Sequence, residues 1–514
     1  MERAATAWKV RVVRGREEGA QMATNGTGDR MSATDSILWR IERDPVLRST
    51  VTVVSLLDRA PDWEYLRSRM LQASLRIPRM REVVAEPPLG IGSPSWVAAD
   101  AFDLDYHLRR VRLSPPATFA SVLEYAAQQA MAEFDRARPL WEFTVVEDVG
   151  DGAAFIQKFH HAVTDGVGGM ELALEILDSE SRPRRRVVPV PSLADKASLV
   201  THRAGAADTG GLSAIGRGAE ASMKTIARAG RRAAGLQVAL AGAAVQAGKD
   251  PVGSARSLTD SVRWGARLVA PVSEPLSPIM RSRGIILSFA AFDVDFDRLR
   301  SAGRRAHGSL NDAFIAAVGA GLRRYHQAHG APVASLRMTL PISIRSEHDA
   351  AGGNRFVPVR FEVPLEPSDP GVTIPAISRL VREWREGPAL GLTDALAAVL
   401  NGLPTPAVTQ VFGSMLRNVD FVATNVPGLP VLAFVAGAEL LRQYAFAPPS
   451  GAAVNVALLS HVGHCCIGVN IDRAAIADPD LLVACLREGF DEIVVHAVAP
   501  SGARRSAGKV AASG

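Results

Sequence analysis

Residues 142–147 and 153–160 read as two strands, and the break between them, Val149-Gly150-Asp151-Gly152, is short and glycine-rich. Two strand-like runs joined so tightly close a β-hairpin. The second run ends in Phe159-His160-His161-Ala162-Val163-Thr164-Asp165-Gly166, after which glycines at 168 and 169 lead into helical spacing over 170–177. Hairpin, turn and helix in that order commit this part of the chain to an α/β arrangement with the histidines at a strand end. Adjacent side chains on a strand leave the backbone in nearly opposite directions. One histidine can therefore face a cleft while its neighbour packs or hydrogen-bonds to hold the turn.

The same alternation of element types runs through the rest of the chain. Residues 51–57 are β-branched and short, as in a buried strand, and 63–75 carry apolar residues at helical spacing. The stretch 102–110 suits a strand edge, with His107 as a structural or surface group rather than a base. Helical spacing over 119–134 should stop near Arg136 to Pro139, because proline disfavours helix at the residue before it, and Pro139-Leu140-Trp141 then opens a strand. Farther on, 283–294 reads as strand and 296–306 as helix. A second helix runs from 310 to about 327, with Asn311 or Asp312 available to cap its free N–H groups. Strands follow at 338–345, 356–363 and 421–426, the last ending in a Pro427-Gly428 turn, then one sheet element over 455–471 and a helix over 478–494.

A chain of 514 residues with 47% hydrophobic and 22% charged content is too long for one ordinary core and too apolar to be disordered. The expected division is an extension at 1–30, a first domain at 31–190, an Ala/Gly/Arg-rich and partly helical crossover linker at 191–280, a second domain at 281–500, and a tail at 501–514. Within the linker, Arg217, Lys224, Arg228 and Arg231 fall on one helical face and Ile215, Met223 and Ile226 on the other. That pattern fits a solvated surface helix or an interfacial helix resting on anionic lipid.

A net charge of +5, without basic and aromatic residues interleaved to stack bases, argues against nucleic acid as a partner. Cys465, Cys466 and Cys485 are too few for a disulfide framework and lack the spacing of a zinc site, so no metal is expected and a reducing cytoplasm is the default location. No run approaches the roughly 20 apolar residues of a spanning helix. Any membrane association would be peripheral.

Histidine at a strand end can serve as a general base near neutral pH, since its ordinary pKa is about 6.5. Acyl transfer to a hydroxyl or amine asks for this: the base takes the acceptor proton as the acceptor attacks a thioester carbonyl, then returns it to the departing thiolate. The chain has no Gly-x-Ser-x-Gly elbow, so an acyl-serine route has no support.

His160-His161-Ala162-Val163-Thr164-Asp165-Gly166 resembles the His-His-x-x-x-Asp-Gly motif of the CoA-dependent acyltransferase superfamily. More of the chain resembles the bacterial wax ester synthase/diacylglycerol acyltransferase family in particular: Met31 with Asp35, 102–110, Pro139-Leu140-Trp141, Asn311-Asp312, 341–345 with Gly353-Asn354, and Asn425-Val426-Pro427-Gly428. The resemblance implies two chloramphenicol-acetyltransferase-like α/β domains, each a mixed sheet with helices, and a channel between them open to opposite faces. It implies transfer of a long-chain acyl group from acyl-CoA, a co-substrate and not a bound cofactor, to diacylglycerol or a fatty alcohol, with peripheral contact to a membrane or lipid-droplet surface.

In that reading His161 is the base, with His160 and Asp165 completing the catalytic group. Gly166, Asn311, Asp312, Pro139, Leu140 and Trp141 belong to substrate binding, and Arg345, Asn354 and Asn425 to structural support, Arg345 as the partner of Asp165. His461 stands where the family usually has tyrosine, a departure that bears on acceptor selectivity. A relative acylating another hydroxyl and a non-catalytic lipid-binding module are the alternatives.

Overall fold

The computed structural model describes residues 29–87, 90, 92–163, 172–173, 175–181, 271–343, 356–387 and 401–498. Its first half forms β1 (Asp29–Arg30), α1 (Ala33–Ile41), β2 (Thr50–Leu57), α2 (Trp63–Arg76), β3 (Glu82–Ala85), β4 (Ser95–Ala98), α3 (Leu104–His107), β5 (Leu108–Arg112), α4 (Phe119–Met131), β6 (Trp141–Val149), β7 (Gly152–His160) and β8 (Leu177–Asp178). The second half forms β9 (Leu287–Asp295), α5 (Phe296–Arg305), α6 (Leu310–Ala328), β10 (Ser335–Ser343), β11 (Phe356–Pro364), α7 (Pro370–Glu386), α8 (Thr405–Leu416), β12 (Phe421–Val426), β13 (Phe434–Val435), β14 (Ala438–Phe446), β15 (Val454–His461), β16 (His464–Asp472) and α9 (Pro479–Val498). Ser32, Asp62, Thr118 and Ser309 begin helices because each side-chain oxygen accepts a backbone N–H from the first turn.

Two mixed sheets carry the fold. The first has seven strands in the order β5-β6-β7-β2-β14-β13-β8, and the second has six in the order β11-β10-β12-β15-β16-β9. A small antiparallel sheet of β1, β4 and β3 stands apart. β13 and β14 lie within the segment expected to form the second domain, yet they hydrogen-bond in the first sheet, where β14 runs antiparallel to β2. The chain thus crosses between lobes and returns.

Register fixes which side chains share a face. Thr50 lies opposite His160, Thr52 opposite Lys158, and Val54 opposite Ile156. That face is covered by α4 through Val122, Leu123 and Ala126. Phe446, opposite Thr52, shares that face and stacks on Phe289 of the second sheet with ring centroids 4.1 Å apart, while on the other face Val53 and Ala445 pack on Ala457 and Leu459 of the second sheet. A Cβ at Gly468 would lie 2.1 Å from the Ala445 carbonyl oxygen, so glycine is what lets the two sheets approach here. The larger core of the second lobe gathers α6 and α9 onto its sheet, with Phe490 set against Phe292 and Phe314.

A second joint ties α1 to α8. Ile37, Ile41 and Leu47 pack on Val408, Met415 and Leu416. Arg40, buried, donates to the Gly90 carbonyl at 2.8 Å, to Thr405 Oγ1 at 3.0 Å and to the Leu403 carbonyl. The Ser36 hydroxyl donates to Asn401 Oδ1 at 2.6 Å.

Three expectations need correction. Residues 102–110 are not one strand edge: Asp103 accepts the Asp105 N–H, which starts the helical turn α3 ahead of β5. The helix expected over 119–134 ends at Met131, where Ala132 turns extended and Arg48 takes the Met131 carbonyl. The single element expected over 455–471 is two strands, β15 and β16, folded back at Val462 and Gly463, both with positive φ. Among the described residues no helix is long and apolar enough to cross a membrane, and no three His, Cys, Asp or Glu side chains cluster as a metal centre would need. The amphipathic stretch 215–231 lies outside the described residues.

Candidate active site

The histidine turn is built where β7 ends. The His160 N–H donates to the Leu140 carbonyl at 3.0 Å and the His161 N–H to the Ser49 carbonyl at 2.8 Å, so the strand end is stitched to both neighbours. The Val163 N–H returns to the His160 carbonyl at 2.9 Å and closes the turn. Ala162 and Val163 pack with Met31, Trp39, Trp96 and Leu140 in one apolar cluster. The turn therefore sits on a packed base.

His160 is fully buried, and both its ring nitrogens are engaged. Nδ1 accepts the Ala162 N–H at 3.0 Å, which places the ring proton on Nε2, against the carboxylate of Glu42. Trp39 meets the ring edge-on at 5.6 Å. His160 is therefore occupied in holding the turn. His161, the next residue, is only half-buried.

The three residues at 139–141 stand behind this turn. Leu140 and Trp141 are each 1% exposed, too deep to form an open surface. The Trp141 indole N–H donates to the Met80 carbonyl at 3.0 Å, and its ring stacks on His107 at 4.5 Å. His107 packs against both Trp141 and Phe102, and its Nδ1 bonds the Trp141 carbonyl at 2.6 Å, so this nitrogen carries the proton. Burial drives its pKa down to about 4, against a partial opposing pull from that carbonyl.

The sign of the resulting pH dependence follows. Between about pH 6.5 and 4 the unfolded chain binds a proton at His107 that the folded chain refuses, so stability present above 6.5 is lost as pH falls through this window. From pH 7 to pH 5 the loss should be about 2 kcal/mol from His107. Buried His326 and His461, both also shifted down chiefly by burial, add to it. Urea unfolding at the two pH values measures the change; equal stabilities would contradict it, and His107→Gln should flatten the dependence.

At the second lobe Asp312 is taken up by the start of α6. Its Oδ2 accepts both the N–H and the hydroxyl of Ser309 at 2.8 Å, and its own N–H donates to Ser309 Oγ. Asn311 faces Asn425 at the end of β12, the amide groups 3.5 Å apart. Beyond Asn425 the Gly428 N–H donates to Ser460 Oγ at 3.1 Å, and a Cβ at Gly428 would fall 1.8 Å from the Ser460 carbonyl oxygen. His461 is buried and its Nε2–H donates to the Leu440 carbonyl at 2.8 Å, joining β15 to the crossing strand. The structure thus brings Asn311 to Asn425. Asp165, Gly166, Arg345 and Asn354 lie outside the described residues.

Between the lobes a cleft is lined by Arg48, Thr50, Ala130, Leu287, Pro448 and Asn470, among others. It reaches Thr50, directly across from His160. Thr50 Oγ1 and Asn470 Oδ1 are buried there and have no hydrogen-bond partner among the described residues. Cys465 and Cys466 offer no nucleophile: burial raises both thiols to about 12. The residue that sequence reasoning missed is Glu42. It ends a helix far along the chain from His160, and no local pattern links the two.

A family model described as wax ester synthase/diacylglycerol acyltransferase catalytic domain matches residues 31–314, and one described as the WS/DGAT C-terminal domain matches 352–494. The chain is 36% identical over 488 residues to a Mycobacterium tuberculosis H37Rv protein named "Putative diacyglycerol O-acyltransferase", covering 93% of this chain and 95% of that one. It is 28% identical over 423 residues, 79% and 84% of the two chains, to another from the same strain named "Probable diacyglycerol O-acyltransferase". Among solved structures, the wax ester synthase/diacylglycerol acyltransferase of Marinobacter aquaeolei VT8 superposes with a TM-score of 0.58 at 18% identity, over 92% of this chain and 100% of that one. The first condensation domain of the calcium-dependent antibiotic synthetase gives 0.57 at 13% identity, over 93% and 98%. These two likenesses show a shared fold.

Proposed function

The chain belongs to the wax ester synthase/diacylglycerol acyltransferase family, and from that premise we propose that it moves a long-chain acyl group from acyl-CoA to the hydroxyl of diacylglycerol, with a fatty alcohol as second acceptor. The family's donor is acyl-CoA. The observation that carries the mechanism is the commitment of His160: with Nδ1 on the Ala162 amide and Nε2 on Glu42, proton transfer falls to His161.

His161 takes the acceptor proton as the hydroxyl oxygen attacks the thioester carbonyl, and the collapsing intermediate expels CoA thiolate, which receives that proton. The new bond is an ester and the broken one a thioester. No acyl-enzyme forms. Asp165 braces the turn with Arg345 as partner, and Gly166 supplies backbone freedom at the turn. Asn311 lines the channel from the second lobe and Asn425 supports it, whereas Asp312 serves α6. Pro139, Leu140 and Trp141 act on substrate indirectly, as the wall behind the turn. The cleft ending at Thr50 suits the polar pantetheine arm of acyl-CoA, since Thr50 and Asn470 offer it hydrogen-bonding groups. Contact with a membrane or lipid-droplet surface would deliver the acceptor.

The test supplies purified protein with palmitoyl-CoA and, in parallel, diacylglycerol, hexadecanol or a short soluble alcohol. Triacylglycerol should form fastest and wax ester next. Strong preference for the soluble alcohol would overturn the lipid acceptor.

A further inference from the structure

We propose that Glu42 is a positioning residue for acyl transfer, setting the imidazole tautomer of His160 so that the turn carrying His161 holds its shape. The proposal rests on the reading of His161 as the base. Three observations support it: where Glu42 sits, what His160 does with each nitrogen, and what holds Glu42 in place.

Glu42 is the C-terminal cap residue of α1, and its side chain is 10% exposed where it meets His160 Nε2. An imidazole without a second proton has one donor and one acceptor, so the two nitrogens cannot be set independently. The Ala162 N–H needs an acceptor at Nδ1. A proton there instead would face that amide donor to donor and push the turn open. A carboxylate accepts only, so Glu42 forces the proton onto Nε2 and leaves the Nδ1 lone pair for Ala162. His160 thereby closes on the two residues after His161, through Nδ1 to Ala162 and through its carbonyl to Val163.

The setting keeps Glu42 an acceptor. Burial works against its charge, but the His160 imidazole, with Arg136 and Arg48 farther out, more than offsets this and holds its carboxyl below the ordinary carboxylate range. On the His160 side the neighbours are Trp39 and Phe134, both edge-on, with buried Lys158 two residues up the strand facing Phe134 and lying 3.8 Å from Glu142. Position is fixed from the other lobe: two residues before Glu42, Arg40 anchors α1 to Leu403 and Thr405. A surface ion pair would need none of this.

The test uses the full chain. In the unaltered protein, ¹⁵N spectra of the His160 ring should show the Nε2-protonated form; an Nδ1-protonated ring overturns the proposal. Glu42→Gln presents either a donor or an acceptor, so it no longer dictates the tautomer, and kcat should fall about 10-fold while KM for palmitoyl-CoA stays within about twofold. His160→Asn, whose Oδ1 can still accept from Ala162, should retain more activity than His160→Gln, which reaches Glu42 but not Ala162. Adding Glu42→Gln to His160→Asn should cost nothing further, because Glu42 acts only through the ring. Additive losses, or a lowered melting temperature with kcat unchanged, overturn the positioning role. Absence of acyl transfer in the unaltered protein would instead sink the functional reading, and the ring spectrum would still decide the tautomer.

Discussion

His161→Ala is expected to lower kcat for CoA release by about 10²- to 10⁴-fold, the usual worth of a placed general base. The loss should appear in kcat and kcat/KM alike, since the base acts on the acceptor proton only as the ester bond forms. Stability should change little, because His161 is half-buried and its backbone N–H, which any residue supplies, makes the bond to Ser49. Turnover with palmitoyl-CoA and a melting curve on the same preparation settle both parts. Unchanged CoA release would remove His161 from the mechanism and assign the proton transfer to another group.

Trp141→Ala should be the most destabilising single change in the first lobe, at about 3–5 kcal/mol. The side chain is buried, stacks on His107, meets Phe143 edge-on and donates to Met80, so its removal opens a cavity and strands a carbonyl at once. Activity should fall with it, since the neighbouring Leu140 carbonyl holds the His160 amide. Trp141→Phe keeps most of the packing but still strands the Met80 carbonyl, and should cost about 1–3 kcal/mol. Urea unfolding of the three proteins ranks them. If Trp141→Ala melts like the parent and only KM rises, Trp141 touches substrate directly and the wall reading is wrong.

What could be read from the sequence was whatever is local. The hairpin ending at His160 follows from two strand-like runs and a glycine-rich break, and it is found as β6 and β7. A capping role for Asp312 was legible because it lies within one helical turn, although the N-cap itself is Ser309, with which Asp312 bonds reciprocally. Partners distant in sequence were not. Glu42 leaves no trace of its contact with His160, because nothing in the composition of a helix end says which strand end it will meet. Residues 438–446 escaped notice for a different reason: the register against β2 shifts between Leu440 and Arg442, and a bulge of this kind breaks the period-two pattern by which a strand is recognised. His461, marked only as a departure from the family's tyrosine, proves to bind the backbone of that same strand.

The crossing strand also sets an order of events during synthesis. Until residue 446 has left the ribosome, β2 has β7 on one side and an open edge on the other, with Val51, Val53 and the histidine turn beside it. An open, β-branched edge invites wrong pairing and aggregation. The first lobe, although begun first, therefore stays open until much of the second has been made, and a chain cut between the two lobes should leave a nascent sheet that seeks its missing strand from other molecules.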